Sequence, residues 1–206
     1  MRHQWLARSN SPDLILVFGG WALSPAPFSC LTGGENVLFV EGYTRLDDPL
    51  PDLSRFDRVD LLAFSFGVAS AAHWLNQTGM RPDRLVAVSG TLNPASAEHG
   101  IAPDMIRATA DQLSQTSFAK FCRRAGVSGD VPDLDTPSAR AELHAVIDRG
   151  PAEDPGFDRI WIPTRDRIVP TKAQQAAWAS STDSIRTVEG PHVPFRAGQS
   201  WAEWLV

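Results

Sequence analysis

Ser65 has the clearest chemical context in the chain. The stretch Val59-Asp60-Leu61-Leu62-Ala63-Phe64-Ser65-Phe66-Gly67-Val68-Ala69 runs from an apolar strand, through a small-x-Ser-x-Gly turn, into an Ala-rich helical segment. Such a turn forces the serine into a strained conformation at a strand tip, so the residues two before and two after it must be small. Ala63 and Gly67 meet that demand, with Ala63 standing where glycine is commoner. The predicted result is a nucleophile elbow.

A serine hydroxyl is a weak nucleophile at neutral pH. It requires a base within hydrogen-bond reach and an acid that holds the base in the right tautomer. Asp158 to Ile162 reads as a strand, after which Pro163-Thr164-Arg165-Asp166-Arg167 presents Asp166 at the strand's exit. Asp154 and Asp158 compete for the acid's role, and position after the strand favours Asp166. Further on, Val188-Glu189-Gly190-Pro191-His192 sets a histidine on a turn between the last strand and the final helix. His192 is the expected base. The order Ser, Asp, His is that of the α/β-hydrolases. Cys30 lacks an elbow, and His99 as base would break this order.

The tetrahedral intermediate of acyl transfer also needs two N–H donors for its oxyanion. Phe66, which follows the nucleophile, is expected to supply one. Trp21 is the candidate for the other, because Gly19-Gly20-Trp21 follows the strand Leu14 to Phe18 and its glycines let backbone approach substrate closely.

The elements that must position these groups are short apolar runs at Leu14 to Phe18, Asn36 to Val40, Arg58 to Phe64, Arg84 to Ser89, Asp158 to Ile162 and Ser184 to Val188. They lack alternation, as parallel strands covered on both faces do. Helices are expected at Gly67 to Asn76, Thr171 to Ser180 and Gly198 to Leu205. Between the strands ending near Ser89 and starting near Asp158 the chain spends far more residues than an ordinary connection. Helical spacing at Pro103 to Leu113, Ser117 to Ala125 and Thr136 to Arg149 fills that gap. The reading is therefore an α/β fold with a mainly parallel central sheet flanked by helices. One domain spans residues 1–206, and a helical cap at about 95–153 is inserted before the strand that precedes Asp166.

With 206 residues, the chain is long enough for one good core. A net charge of -5 argues against nucleic-acid binding. No apolar run reaches the length of a signal peptide or a membrane span, so a cytoplasmic protein is expected. Cys30 and Cys122 make no disulfide framework, and the five histidines show no metal-ligand spacing. Neither a metal nor a cofactor is expected. Arg107, Lys120, Arg123 and Arg124 form a basic set within the cap of an otherwise acidic chain, either a solvated helix face or a docking patch.

The sequence resembles the BioG-type pimeloyl-acyl-carrier-protein methyl ester esterases over nearly its whole length. The resemblance rests on the Leu14-to-Trp21 strand and its Gly-Gly-Trp end, the Ala63-to-Ala69 elbow, Ser89-Gly90-Thr91 with Pro94, Gly100-Ile101, and Phe121-x-Arg123-Arg124. It implies a substrate: the methyl ester of a pimeloyl group carried on acyl carrier protein, on the way to biotin. Ser65, Asp166 and His192 fall at the family's triad positions. Carrier proteins are strongly acidic, so the basic cap residues would steer the partner. Two alternatives stand beside this reading: another cap-bearing esterase or thioesterase for a small acyl group, and a catalytically silent binding module. The second would need a defect in the triad or the oxyanion loop, and the sequence shows none.

Overall fold

A computed structural model describes residues 1–127 and 129–206. Seven strands form one sheet: β1 (Arg2–Ala7), β2 (Asp13–Phe18), β3 (Val37–Glu41), β4 (Arg58–Phe64), β5 (Arg84–Val88), β6 (Arg159–Pro163) and β7 (Ile185–Val188). Their spatial order is β1-β3-β2-β4-β5-β6-β7. Every neighbouring pair is parallel except β1 with β3, which is antiparallel. The six expected strands lie within a residue or so of their predicted bounds. β1 was not anticipated: it is an edge strand whose Arg2, His3 and Gln4 stay exposed, so it lacks the apolar run by which the others are read.

Alternate residues of the central strands feed two separate cores. Leu14, Leu16 and Phe18 of β2, with Leu61 and Ala63 of β4, pack against Val68, Ala71, Ala72 and Leu75 of helix α1 (Phe66–Thr78). Trp178, just past helix α5 (Thr171–Ala177), joins that face. Val17, Leu62, Phe64, Val86 and Val88 point the other way, toward Trp201, Trp204 and Leu205 of helix α6 (Trp201–Leu205). This two-sided burial is why the strands read as continuous apolar runs.

Three helices fill the long β5–β6 connection: α2 (Pro103–Asp111), α3 (Gln115–Ala125) and α4 (Thr136–Arg149). The bounds of α4 agree with the sequence reading, and α3 begins earlier because Ser114 makes a reciprocal capping box with Ser117. Ile106, Phe118, Cys122 and Leu143 from these helices enter the same core as Phe64 and Val88. Within the predicted cap, Ser128 lies outside the described residues. The three helices therefore rest on the sheet face that carries Phe64, the residue before Ser65.

Candidate active site

Ser65 stands at the junction of β4 and α1 with φ 57 and ψ -126, a left-handed conformation that costs a non-glycine residue a few kcal/mol at most. Its neighbours hold it there. The Ser65 amide donates to Val88 O at 2.9 Å, and the Val68 amide donates to Ser65 O at 3.0 Å. Gly67 is required for closeness: a Cβ there would lie 2.4 Å from Phe18 O and 2.5 Å from Gly19 O. At Gly90 it would lie 2.3 Å from Ser65 O. The tight passage brings the strand tips of β2, β4 and β5 together around one hydroxyl.

His192 Nε2 lies 2.9 Å from Ser65 Oγ, and its Nδ1 lies 2.7 Å from Asp166 Oδ2. With the proton on Nδ1 donated to the carboxylate, Nε2 is left to accept from the serine. The side chains of His192 and Asp166 are fully buried, and Phe64 packs its ring 5.1 Å from the imidazole. Asp166 Oδ1 accepts from the amides of Ile168 at 2.8 Å and Val169 at 3.0 Å. Its Oδ2 accepts from Gln174 Nε2 at 2.8 Å as well as from the histidine. Gln174, fully buried on α5, is a residue that sequence reasoning missed.

The turn bearing His192 is tied to the helices above it. The Val193 amide donates to Ala125 O, the last residue of α3, at 2.9 Å. At Gly126, which follows with φ 85, a Cβ would sit 2.2 Å from Pro191 Cγ. The end of α3 is thus seated on Pro191, the residue before His192.

Above Ser65 lies a narrow cavity of about 90 Å³ walled by Trp21, Phe66, Ile101, Ile106, Phe121 and Leu143. Trp21 and Phe66, the two sequence-predicted oxyanion donors, flank the serine here. Among the described residues, neither of their amides has a hydrogen-bond partner. The Trp21 indole donates to Ala139 O on α4 at 2.9 Å and meets the rings of Phe118 and Phe121 edge-on. Gly20 is needed beside it, because a Cβ there would approach Phe64 within 2.8 Å. The loop that carries Trp21 is therefore clamped between the sheet and helices α3 and α4.

The predicted basic set divides. Arg124 lines this cavity. Arg107 pairs with Asp104 at 2.9 Å on exposed surface, while Lys120 and Arg123 are exposed on α3 and do not line the cavity. Arg167, to which the sequence reading gave no role, joins Arg124 at the cavity wall. The two cysteines are free, and burial pushes the Cys122 thiol up to about 11, which leaves it unreactive. Among the described residues no group of three or more His, Cys, Asp or Glu could hold a metal ion. Nor, among them, is any helix long and apolar enough to cross a membrane.

Comparison with known proteins bears on this geometry. A family model described as pimeloyl-ACP methyl esterase BioG matches residues 1–204. The chain belongs to the BioG family. The crystal structure of selenomethionine BioG from Haemophilus influenzae is similar at a TM-score of 0.87 with 26% identity, covering 100% of both chains. An α/β hydrolase fold protein from Burkholderia ambifaria shares the fold at a TM-score of 0.57 and 17% identity, over 93% of this chain and 88% of its own. A malonyl-[acyl-carrier protein] O-methyltransferase of Bacteroides fragilis is 28% identical over 193 residues. That match takes in 87% of this chain and only 39% of the relative's length. This member of the BioG family is an α/β hydrolase of the esterase type.

Proposed function

We propose that the chain is a serine esterase that hydrolyses the methyl ester of a pimeloyl group carried on acyl carrier protein. The observation that carries the proposal is the continuous line from Ser65 Oγ to His192 Nε2, at 2.9 Å, and from His192 Nδ1 to Asp166 Oδ2, at 2.7 Å. Membership of the BioG family supplies the substrate class.

In the proposed reaction His192 takes the hydroxyl proton as Ser65 Oγ bonds to the ester carbonyl carbon. The negative charge that forms on the carbonyl oxygen is met by the unpartnered amides of Trp21 and Phe66. Collapse of the intermediate breaks the bond to the methoxy group, which leaves as methanol with the proton from His192. Water then attacks the acyl-serine with His192 as base again, and the free carboxylate departs. Asp166 stabilises the imidazolium in both halves, and the residues need no cofactor.

The 206 residues act in this reading as one domain whose segment 95–153 is the cap. The cap gives the acyl chain an apolar passage through Ile101, Ile106, Phe121 and Leu143. We infer that Arg107, Lys120, Arg123 and Arg124 attract the acidic carrier, with Arg124 nearest the serine. The reaction belongs in the cytoplasm beside a soluble carrier.

The test is methanol release from methyl-pimeloyl carrier protein by the wild type and by Ser65→Ala. A serine-directed phosphonate should label the wild type alone. Release by both proteins would overturn the mechanism; phosphonate labelling and turnover of a free ester without carrier-ester turnover would overturn the substrate. Charge reversal at Arg123 and Arg124 should lower turnover of the carrier-bound ester about tenfold at low salt and spare a small soluble ester.

A further inference from the structure

Arg124 and Arg167 bring two positive charges to the cavity that holds Ser65, and among its described lining residues there is no aspartate or glutamate to offset them. Neither guanidinium has an ion-pair partner among the described residues. The nearby acids are committed elsewhere. Asp166, next to Arg167, takes two amides, Gln174 and His192 on its oxygens. Asp104 on α2 pairs with Arg107.

The place of the two cations follows from the way the base is held. Arg124 precedes Ala125, whose carbonyl accepts the Val193 amide beside His192, and Arg167 follows Asp166, which accepts from the imidazole. Each guanidinium is thus carried one residue from an anchor of His192. The cavity's other polar side chains are spoken for: Thr109 gives its hydroxyl to Met105 O at 2.8 Å, and Ser65 faces His192. What remains for the polar atoms of a ligand is the pair of free amides, Trp21 and Phe66, and the pair of guanidiniums. All four are donors, and the surrounding wall of Ile101, Ile106, Phe121 and Leu143 is apolar.

A donor-only set with two positive charges, closed in by apolar side chains, matches a ligand that only accepts, carries negative charge and has an aliphatic tail. A neutral ester meets this description in part, through one carbonyl oxygen. A carboxylate on an acyl chain meets all of it. We propose that Arg124 and Arg167 make this cavity a carboxylate site that holds the acid product, one oxygen on the Trp21 and Phe66 amides and the other toward the guanidiniums. The inference deepens the esterase reading and rests on it for the identity of the carboxylate. It adds that the acid binds more tightly than the ester that yields it, so product competes with substrate as it accumulates.

Isothermal titration of Ser65→Ala with heptanoate and with heptanamide, at low salt and about pH 8, tests the site without turnover. Heptanoate should bind at about one molar equivalent and about tenfold more tightly than the amide. On the same background Arg124→Gln and Arg167→Gln should each weaken heptanoate about fivefold, and Arg167→Lys should retain most of the binding. Because both side chains reach solvent, ~0.5 M salt should erode the preference for the acid. Equal binding of acid and amide, no binding of heptanoate, or heptanoate binding unmoved by both glutamine variants overturns the proposal. So does tighter binding of pantetheine phosphate that is lost in the same variants, which would give the pair to the carrier's prosthetic arm. Should Arg124→Gln melt below its parent, Arg167→Gln decides, and undiminished heptanoate binding by it overturns the proposal. Methanol release that persists in Ser65→Ala would sink the esterase reading and leave the binding result standing, whereas equal binding of acid and amide would sink this site alone.

Discussion

Two buried carboxylates, Asp166 and Glu142, show how differently one chain can treat the same chemical group. Asp166 has four donors around it, two from backbone amides, one from Gln174 and one from His192. Glu142 is buried as deeply, yet a backbone hydrogen bond with Tyr43 is its support, and its Oε1 has no partner among the described residues. The first environment fixes the carboxylate in place next to an imidazole. The second pushes its carboxyl up to about 7, chiefly through burial. Burial alone does not make an acid useful, and the donors arranged around it decide what it does.

The largest effect that would sharpen this contrast is expected at the satisfied acid. Asp166→Asn should leave the fold intact and lower kcat about 10⁴-fold, because the amide selects the wrong histidine tautomer. Steady-state kinetics on the carrier-bound ester measures it. A loss of only a few-fold would break the comparison by showing that the donor set around Asp166 is structural.

Next in size is the pH dependence of stability at Glu142. Its carboxyl is raised from an ordinary 4.5 to about 7, so between these values the native chain holds a proton that the unfolded chain releases. Stability from this group is full below about 4.5 and is lost as pH rises through about 7, by about 3 kcal/mol at most. Urea denaturation across this range should show that decline in the wild type and a flatter profile in Glu142→Gln. A profile that is the same in both would mean the group is already satisfied.

Smaller again is the role of Gln174. Gln174→Leu removes a donor from Asp166 Oδ2 and also deletes an orphan oxygen, Gln174 Oε1. We expect kcat to fall about tenfold with KM little changed, since one hydrogen bond to a charged group contributes about 1.5 to 3 kcal/mol, partly recovered here. The smallest effect is expected at the wall between the two regions. Trp21→Phe keeps the ring packing but removes the indole N–H that ties the loop to Ala139 O of α4, at a cost of about 1 kcal/mol by thermal or urea unfolding.

The arrangement of Ser65, Asp166 and His192 was legible because each of them is announced by a local constraint. Ser65 needs small neighbours at 63 and 67, Asp166 follows a strand, and His192 sits on a turn before the last helix. Gln174 carries no such mark, since a glutamine in a short Ala-rich helix reads as solvent-facing. Only the packing of α5 under the Asp166 loop turns it inward. The same holds for Glu142, whose helix was read with its observed bounds while its burial was invisible, because glutamate is so seldom buried. β1 escaped notice for the opposite reason: an exposed edge strand needs no apolar run. Arg167 is separated from Arg124 by dozens of residues, and only the fold makes them neighbours at one cavity.

The seam where Ala125 accepts from Val193, with Gly126 against Pro191, has a mechanical consequence. At that corner α3 cannot lift without dragging His192 away from Ser65. Any widening of the passage that keeps His192 beside Ser65 must leave that seam closed, and Met105 on α2, 63% exposed, is the large apolar lining residue that solvent already reaches most.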